Sequence, residues 1–121
     1  MKKILTVTAA LALMLFVGRV FAENMGKSMK CEVVDIHCYM TKGAKGEAHK
    51  ACAAKCISGG GELALLYKGK LYIPVDQDFH SARDQFATKG GEMVDVTGKT
   101  VSKSGLNYLV LSDAAAAPAA K

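Results

Sequence analysis

Between His37 and Cys56 the chain reads HCYMTKGAKGEAHKACAAKC, a stretch that holds three of its four cysteines and two of its three histidines. Sulfurs this dense chelate an ion, form a bridge or pack as small apolar groups, and the first two outcomes require a fold that draws Cys38 against Cys52 and Cys56. The segment GEAHKACAAKCIS is rich in Ala and Lys, carries Glu47 where a helix dipole favours an acid, and ends at Gly59-Gly60-Gly61, which predicts a helix over about 47–57. At ~100° per residue, His49, Cys52 and Cys56 fall near 0°, 300° and 340°, so all three share one stripe. If Cys38 ends a preceding strand and faces that stripe, three thiolates and an imidazole converge, a set suited to tetrahedral zinc or to copper(I). The expected metal ligands are therefore Cys38, His49, Cys52 and Cys56. The CxxxC on a helix differs from the CxxC knuckle of zinc fingers.

Which outcome prevails depends on compartment. Lys2 and Lys3, the apolar run Ile4–Val17 and the Val20-Phe21-Ala22 cleavage pattern read as a secretory signal over residues 1–22. The run falls short of the ~20 apolar residues of a bilayer span, so the expected mature chain begins near Glu23, does not cross a membrane, and is periplasmic or secreted. Thiols held close together in such a compartment tend to oxidise. Cys31, Cys38, Cys52 and Cys56 are all disulfide candidates. On one straight strand Cys31 and Cys38 would stand roughly 23 Å apart, far beyond bridging range, and Cys52 with Cys56 would strain the helix, which leaves Cys38 with Cys52 or Cys56. Such a bridge closes a loop of about fifteen residues, worth ~3 kcal/mol in the chain-entropy model. A third outcome is a small-residue helix face, Ala48, Cys52, Ala53 and Cys56, packed on a sheet.

Charge excludes one large class of partner. Lys2, Lys3 and Arg19 leave with the signal, so the formal charge falls from +5 to +2. With no basic block, no Trp and few exposed-type aromatics to stack on bases, nucleic acid is not expected as a partner.

Residues 23–30 read as a flexible lead-in, 31–113 as one domain, and the AAAAPAAK tail over 114–121 as disordered. Within the domain, CEVVDIHC (31–38) is rich in β-branched residues and predicts a strand. LALLYKGKLYIPV is a hairpin turning at Lys68-Gly69, and EMVDVTGKTVSKSGLNYLVLS is a second pair of strands turning at Lys103-Ser104-Gly105. Phe79, Ala82, Arg83 and Phe86 recur at helical spacing ahead of Gly90-Gly91, which predicts a helix near 78–88 capped by Asp76 or Asp78. The result is a mainly β chain with the element succession of a small OB-like five-stranded barrel. The Cys/His-bearing helix is inserted between strands one and two, and another helix lies between strands three and four.

The run Glu32-Val33-Val34-Asp35, Cys38-Tyr39, Gly43, Gly46, His49, Cys52-Ala53, Cys56, Gly59-Gly60 and Leu63 to Leu66 resembles a group of small secreted bacterial proteins of no assigned activity. The resemblance covers roughly 32–111 and implies an OB-like β domain. That pattern has Gly at position 31 and Pro at 62, where this chain has Cys31 and Glu62.

No catalytic residue is assigned. GxSxG, HExxH and a phosphate-binding glycine loop are all missing, and c-type haem is not expected because Ile57, not His, follows Cys56. His37 and His80 read as surface residues, and Met25, Met29 and Met40 as gap fillers before thioether ligands. The expected function is a non-enzymatic binding protein, built around a zinc or copper site or a thiol-redox site. The alternative is a disulfide-stapled interaction module with no metal.

Overall fold

Strand β1 (Lys27–Asp35) holds the architecture together because it pairs on both sides. Its first part, Lys27 to Glu32, runs antiparallel to β4 (Met93–Lys103), and its second, Glu32 to Asp35, runs antiparallel to β2 (Leu63–Tyr67). β2 pairs with β3 (Lys70–Val75), β3 lies parallel to β5 (Leu106–Leu111), and β5 returns antiparallel to β4. The five strands thus form a ring-like sheet, β1-β2-β3-β5-β4 and back to β1, in a mainly β structure with two helices. These features are seen in a computed structural model, which describes residues 26–112 and 117–118. The expected signal segment lies outside the described residues.

Alternation fills the ring. Met29, Cys31 and Val33 of β1, Leu63 and Leu65 of β2, Val94 and Val96 of β4, and Leu109 and Leu111 of β5 recur at two-residue spacing and form one buried cluster. Ile57 and Phe86 join it from outside the sheet, and each such fully buried side chain contributes about 1.5–3 kcal/mol. Gly98 of β4 stands between two partner strands, opposite Lys27 of β1 on one side and Leu111 of β5 on the other. A Cβ there would strike the backbone of Val110, so only glycine fits this close approach. Both expected hairpins form: Lys68 and Gly69 have φ of 48° and 75°, Ser104 and Gly105 of 52° and 79°, the left-handed pair that two-residue hairpins favour.

Four expectations are corrected. β1 begins at Lys27 rather than Cys31, because the ladder to Gly98–Met93 orders the expected lead-in and buries Met29. It also stops at Asp35, and Ile36–Lys42 is a helix, α1. The helix between the third and fourth strands is reduced to a single 3₁₀ turn, Arg83–Gln85. Asp76 Oδ1 accepts from the backbone N–H of Asp78 and of His80, at 2.9 Å each, and Phe79 sits at φ 63°, so the chain curls before any helix starts. Of the expected tail, Ala117–Pro118 forms a short strand, β6, paired with Val94 and Asp95, while the rest lies outside the described residues.

Candidate metal centre

Between β1 and β2 the chain builds α1, a 3₁₀ turn at Glu47–His49, and α2 (Lys50–Ser58). Asp35 converts strand to helix: its backbone is extended, and its carboxylate Oδ1 accepts from Cys38 N–H at 2.8 Å, satisfying a donor of the first helical turn. Gly43, at φ 63°, ends α1 by donating to Tyr39 O at 2.8 Å. The linking loop is then anchored to β1, because Gly46 N–H donates to the buried Glu32 carboxylate.

α2 is pressed onto the sheet by close backbone approaches. A Cβ on Gly90 would stand 2.8 Å from Ala54 Cα, so Gly90 is there to let the helix lie against the segment leading into β4, not to end a helix as its position suggested. At the other end of α2, Arg83 donates from Nη2 to Ile57 O at 2.9 Å and to Gly61 O at 2.8 Å, satisfying carbonyls that a helix terminus leaves open. A Cβ on Gly61 would lie 2.7 Å from both Asp35 Oδ2 and Cys56 O. Absence of that atom is what allows the last turn of α2 to settle beside the cap of α1.

The two helices together bring three sulfurs to one place. Ligand atoms of Cys38, Cys52 and Cys56 all lie within 4.8 Å of one another, close enough to bind one metal ion. For Zn–S bonds of ≈ 2.3 Å, tetrahedral geometry separates sulfurs by about 3.8 Å, so the three need to close by up to about 1 Å on one ion. Cys52 is exposed, with Cys38 and Cys56 half-buried, so the cluster opens outward. The Cys38 thiol is pushed up to about 12, chiefly by its hydrogen bond to the Asp35 carboxylate, then by desolvation and by the charges of Asp35, Cys56 and Cys52. All of these hold the proton on sulfur, and a bound cation reverses that preference by drawing thiolates to itself.

Not every expected ligand joins the cluster. His49 stands outside it: the regular turns of α2 start at Lys50, and His49 is the N-cap, in a 3₁₀ turn where its N–H donates to Gly46 O at 3.0 Å. His49 instead lines a small cavity with Cys38, Glu32, Asp35 and Ala53. Cys38 itself reaches the site from the first turn of α1, not from a strand end. Cys31 is fully buried in the core and is no member of the sulfur group. Burial and the charge of Asp95 push its thiol up to about 11. None of the four cysteines is bridged to another in this structure. Met29 is core, Met40 is exposed, Met25 lies outside the described residues, and His37 and His80 are exposed.

Two residues essential to the geometry, Asp35 and Arg83, are not among the expected site residues. Asp35 lies in the expected strand, although an Asp three residues before Cys38 is also an N-cap signal. Arg83 has no local signal for its role, because its carbonyl partners Ile57 and Gly61 are distant in sequence. A second group, Asp76, Asp78 and His80, also brings its ligand atoms within 4.8 Å, on the exposed loop after β3. The turn that Asp76 closes, with His80 Nδ1 3.3 Å from its Oδ2, accounts for that proximity. The same bonds hold the Asp76 carboxyl below its usual value.

No protein-family model, curated protein or solved structure matches the chain. No helix among the described residues is long and apolar enough to cross a membrane.

Proposed function

We propose that the protein is a non-enzymatic binding module of the periplasm or extracellular space that holds a soft transition-metal ion, copper(I) ahead of zinc, on Cys38, Cys52 and Cys56. The mutual approach of these three sulfurs carries the reading. Thiolates select copper(I) and zinc over hard cations. Three-sulfur coordination completes a copper(I) shell, whereas structural zinc almost always takes four ligands and here would need a fourth from solvent, a partner or a rotated His49. The compartment rests on the signal-like residues 1–22.

The domain carrying the site is proposed as an OB-like barrel. In support, β1 is shared between β2 and β4, β3 and β5 are parallel, and the helical insertion falls between the first two strands. Ligand sites on such folds favour the loops at that end, which is consistent with a metal centre in the insertion.

Anaerobic titration of the reduced mature chain with copper(I) against a chromophoric chelator tests the function. One ion bound per chain, lost in Cys52→Ser and kept in Cys31→Ala, is the expected result. Full thiol titre with no ion bound overturns it. The same proximity favours a second reading, a disulfide from Cys38 to Cys52 or Cys56. An odd number of clustered thiols leaves one sulfur unpaired in that case, and one free thiol plus the buried Cys31 in protein taken from its native compartment is its signature.

A further inference from the structure

The charge of the protein is not spread over its surface. In the helical insertion, residues 36–58, Lys42, Lys45, Lys50 and Lys55 stand against Glu47 alone, a net +3. Elsewhere among the described residues eight Lys or Arg are matched by eight Asp or Glu. The net charge of the described residues therefore belongs to the segment that carries the three thiols. Lys50 is already engaged, with its Nζ 3.9 Å from Glu47 Oε1, whereas Lys42, Lys45 and Lys55 are exposed and have no ion pair among the described residues. Their spacing sets them round the sulfurs. Lys42 follows Cys38 by four residues on α1, and Lys55 follows Cys52 by three on α2, the intervals at which helical side chains are neighbours. Lys45 lines the small cavity that Cys38 also lines.

The Asp35 and Glu32 carboxylates also lie at this cluster, but they are buried beneath it, whereas the three unpaired lysines are exposed, so the outer side that meets a carrier is the positive one. We propose that the site is loaded from anionic metal complexes, which Lys42, Lys45 and Lys55 attract to the thiols, rather than from cationic ones. The inference rests on the metal-binding reading above. Exchange is balanced without redox chemistry: the carrier's bonds to copper(I) break, three Cu–S bonds form, and the three protons of the thiols pass to the emptied carrier or to solvent. One positive charge enters and three leave, so the loaded centre is less positive by two than the empty one. The attraction that recruits the carrier thus weakens once the ion has moved, which favours release of the spent anion.

The test is stopped-flow loading of the reduced mature protein at low ionic strength. One donor is the bis(bicinchoninate) copper(I) complex, which its carboxylates make anionic. The other is the tetrakis(acetonitrile) copper(I) cation. Steering of this kind changes association rates by roughly 10- to 1,000-fold, so Lys42→Gln/Lys45→Gln/Lys55→Gln is expected to slow loading from the anionic donor at least about tenfold. Added salt should erase the difference, because a Debye length of ≈ 8 Å at physiological ionic strength already screens exposed charges. Loading from the cationic donor should not slow, and the copper stoichiometry should be unchanged. A control of equal charge, Lys68→Gln/Lys70→Gln/Lys103→Gln on the strand hairpins, should have a much smaller effect on the anionic donor. Equal slowing by both triple variants, or a rate from the anionic donor indifferent to salt and to the three lysines, overturns the proposal while leaving metal binding intact. Failure to bind copper at all overturns the metal-binding reading first, and this inference with it.

Discussion

Substituting Gly61 by Ala isolates a contact on which the proposed metal centre depends. Its backbone is not in the left-handed region, so alanine is permitted there by torsion, and the whole effect is steric. The new methyl would sit 2.7 Å from Asp35 Oδ2 and from Cys56 O, and 3.1 Å from Cys56 C. Relief to ordinary contact requires a movement of about 0.7 Å, and the backbone of Cys56 cannot rotate away as a flexible side-chain tip would. The last turn of α2 must shift from the cap of α1, carrying Cys56 away from Cys38. The sulfurs already have to close by up to about 1 Å to meet one ion, so a backbone shift of this size adds directly to the rearrangement that binding must drive. Overpacking of this kind costs about 1–3 kcal/mol of stability. Copper(I) affinity, measured by chelator competition, should fall at least tenfold, or about 1.4 kcal/mol. Gly60→Ala is the control: Gly60 has φ 97° with nothing within 4 Å, so alanine there costs stability through strain alone and leaves the sulfurs in register. Unchanged copper affinity in Gly61→Ala, or equal losses in the two variants, would refute the reasoning.

Other perturbations separate the supporting groups. Asp35→Ala should lower stability by about 0.5–2 kcal/mol through loss of the α1 cap, whereas Asp35→Asn keeps the cap. Without the carboxylate charge, the Asn variant should let the Cys38 thiolate form at lower pH, visible in its ultraviolet thiolate absorbance. Arg83→Lys should not rescue Arg83→Ala, because a lysine ammonium ends one bond short of the Nη2 that reaches both Ile57 O and Gly61 O. Each variant should destabilise by about 2–3 kcal/mol in urea unfolding. Cys31 predicts an alkaline loss of stability: the fold favours its neutral thiol, so its contribution is complete below pH 9.0 and disappears as pH climbs towards about 11. That amounts to at most ~3 kcal/mol, and denaturant midpoints across this range should flatten in Cys31→Ala.

Much of the sheet was legible because its signals are local. The two hairpin turns carry Lys-Gly and Ser-Gly at their left-handed positions, and the alternation of Leu63 with Leu65 or Val94 with Val96 marks a face. The stripe of Cys52 and Cys56 was legible because α2 is regular through both. Extrapolation failed where one residue changes the backbone. Asp35 ends the strand, so Cys38 arrives on a helix, and His49 lies just before the regular turns, so its direction departs from the wheel. The loop after β3 kept helical spacing in Phe79, Ala82 and Phe86, but Asp76 captures the N–H groups a helix would have used. Close approaches such as Gly90 against α2 and Gly61 against Asp35 join distant parts of the chain and leave no local trace.

X-ray absorption at the copper edge of the loaded, reduced protein examines the centre itself. Three sulfur ligands and no imidazole nitrogen around the ion are expected, matching the three clustered cysteines with His49 outside. A shell of two sulfurs, or one containing nitrogen, would contradict the assignment of Cys38, Cys52 and Cys56 as the complete ligand set.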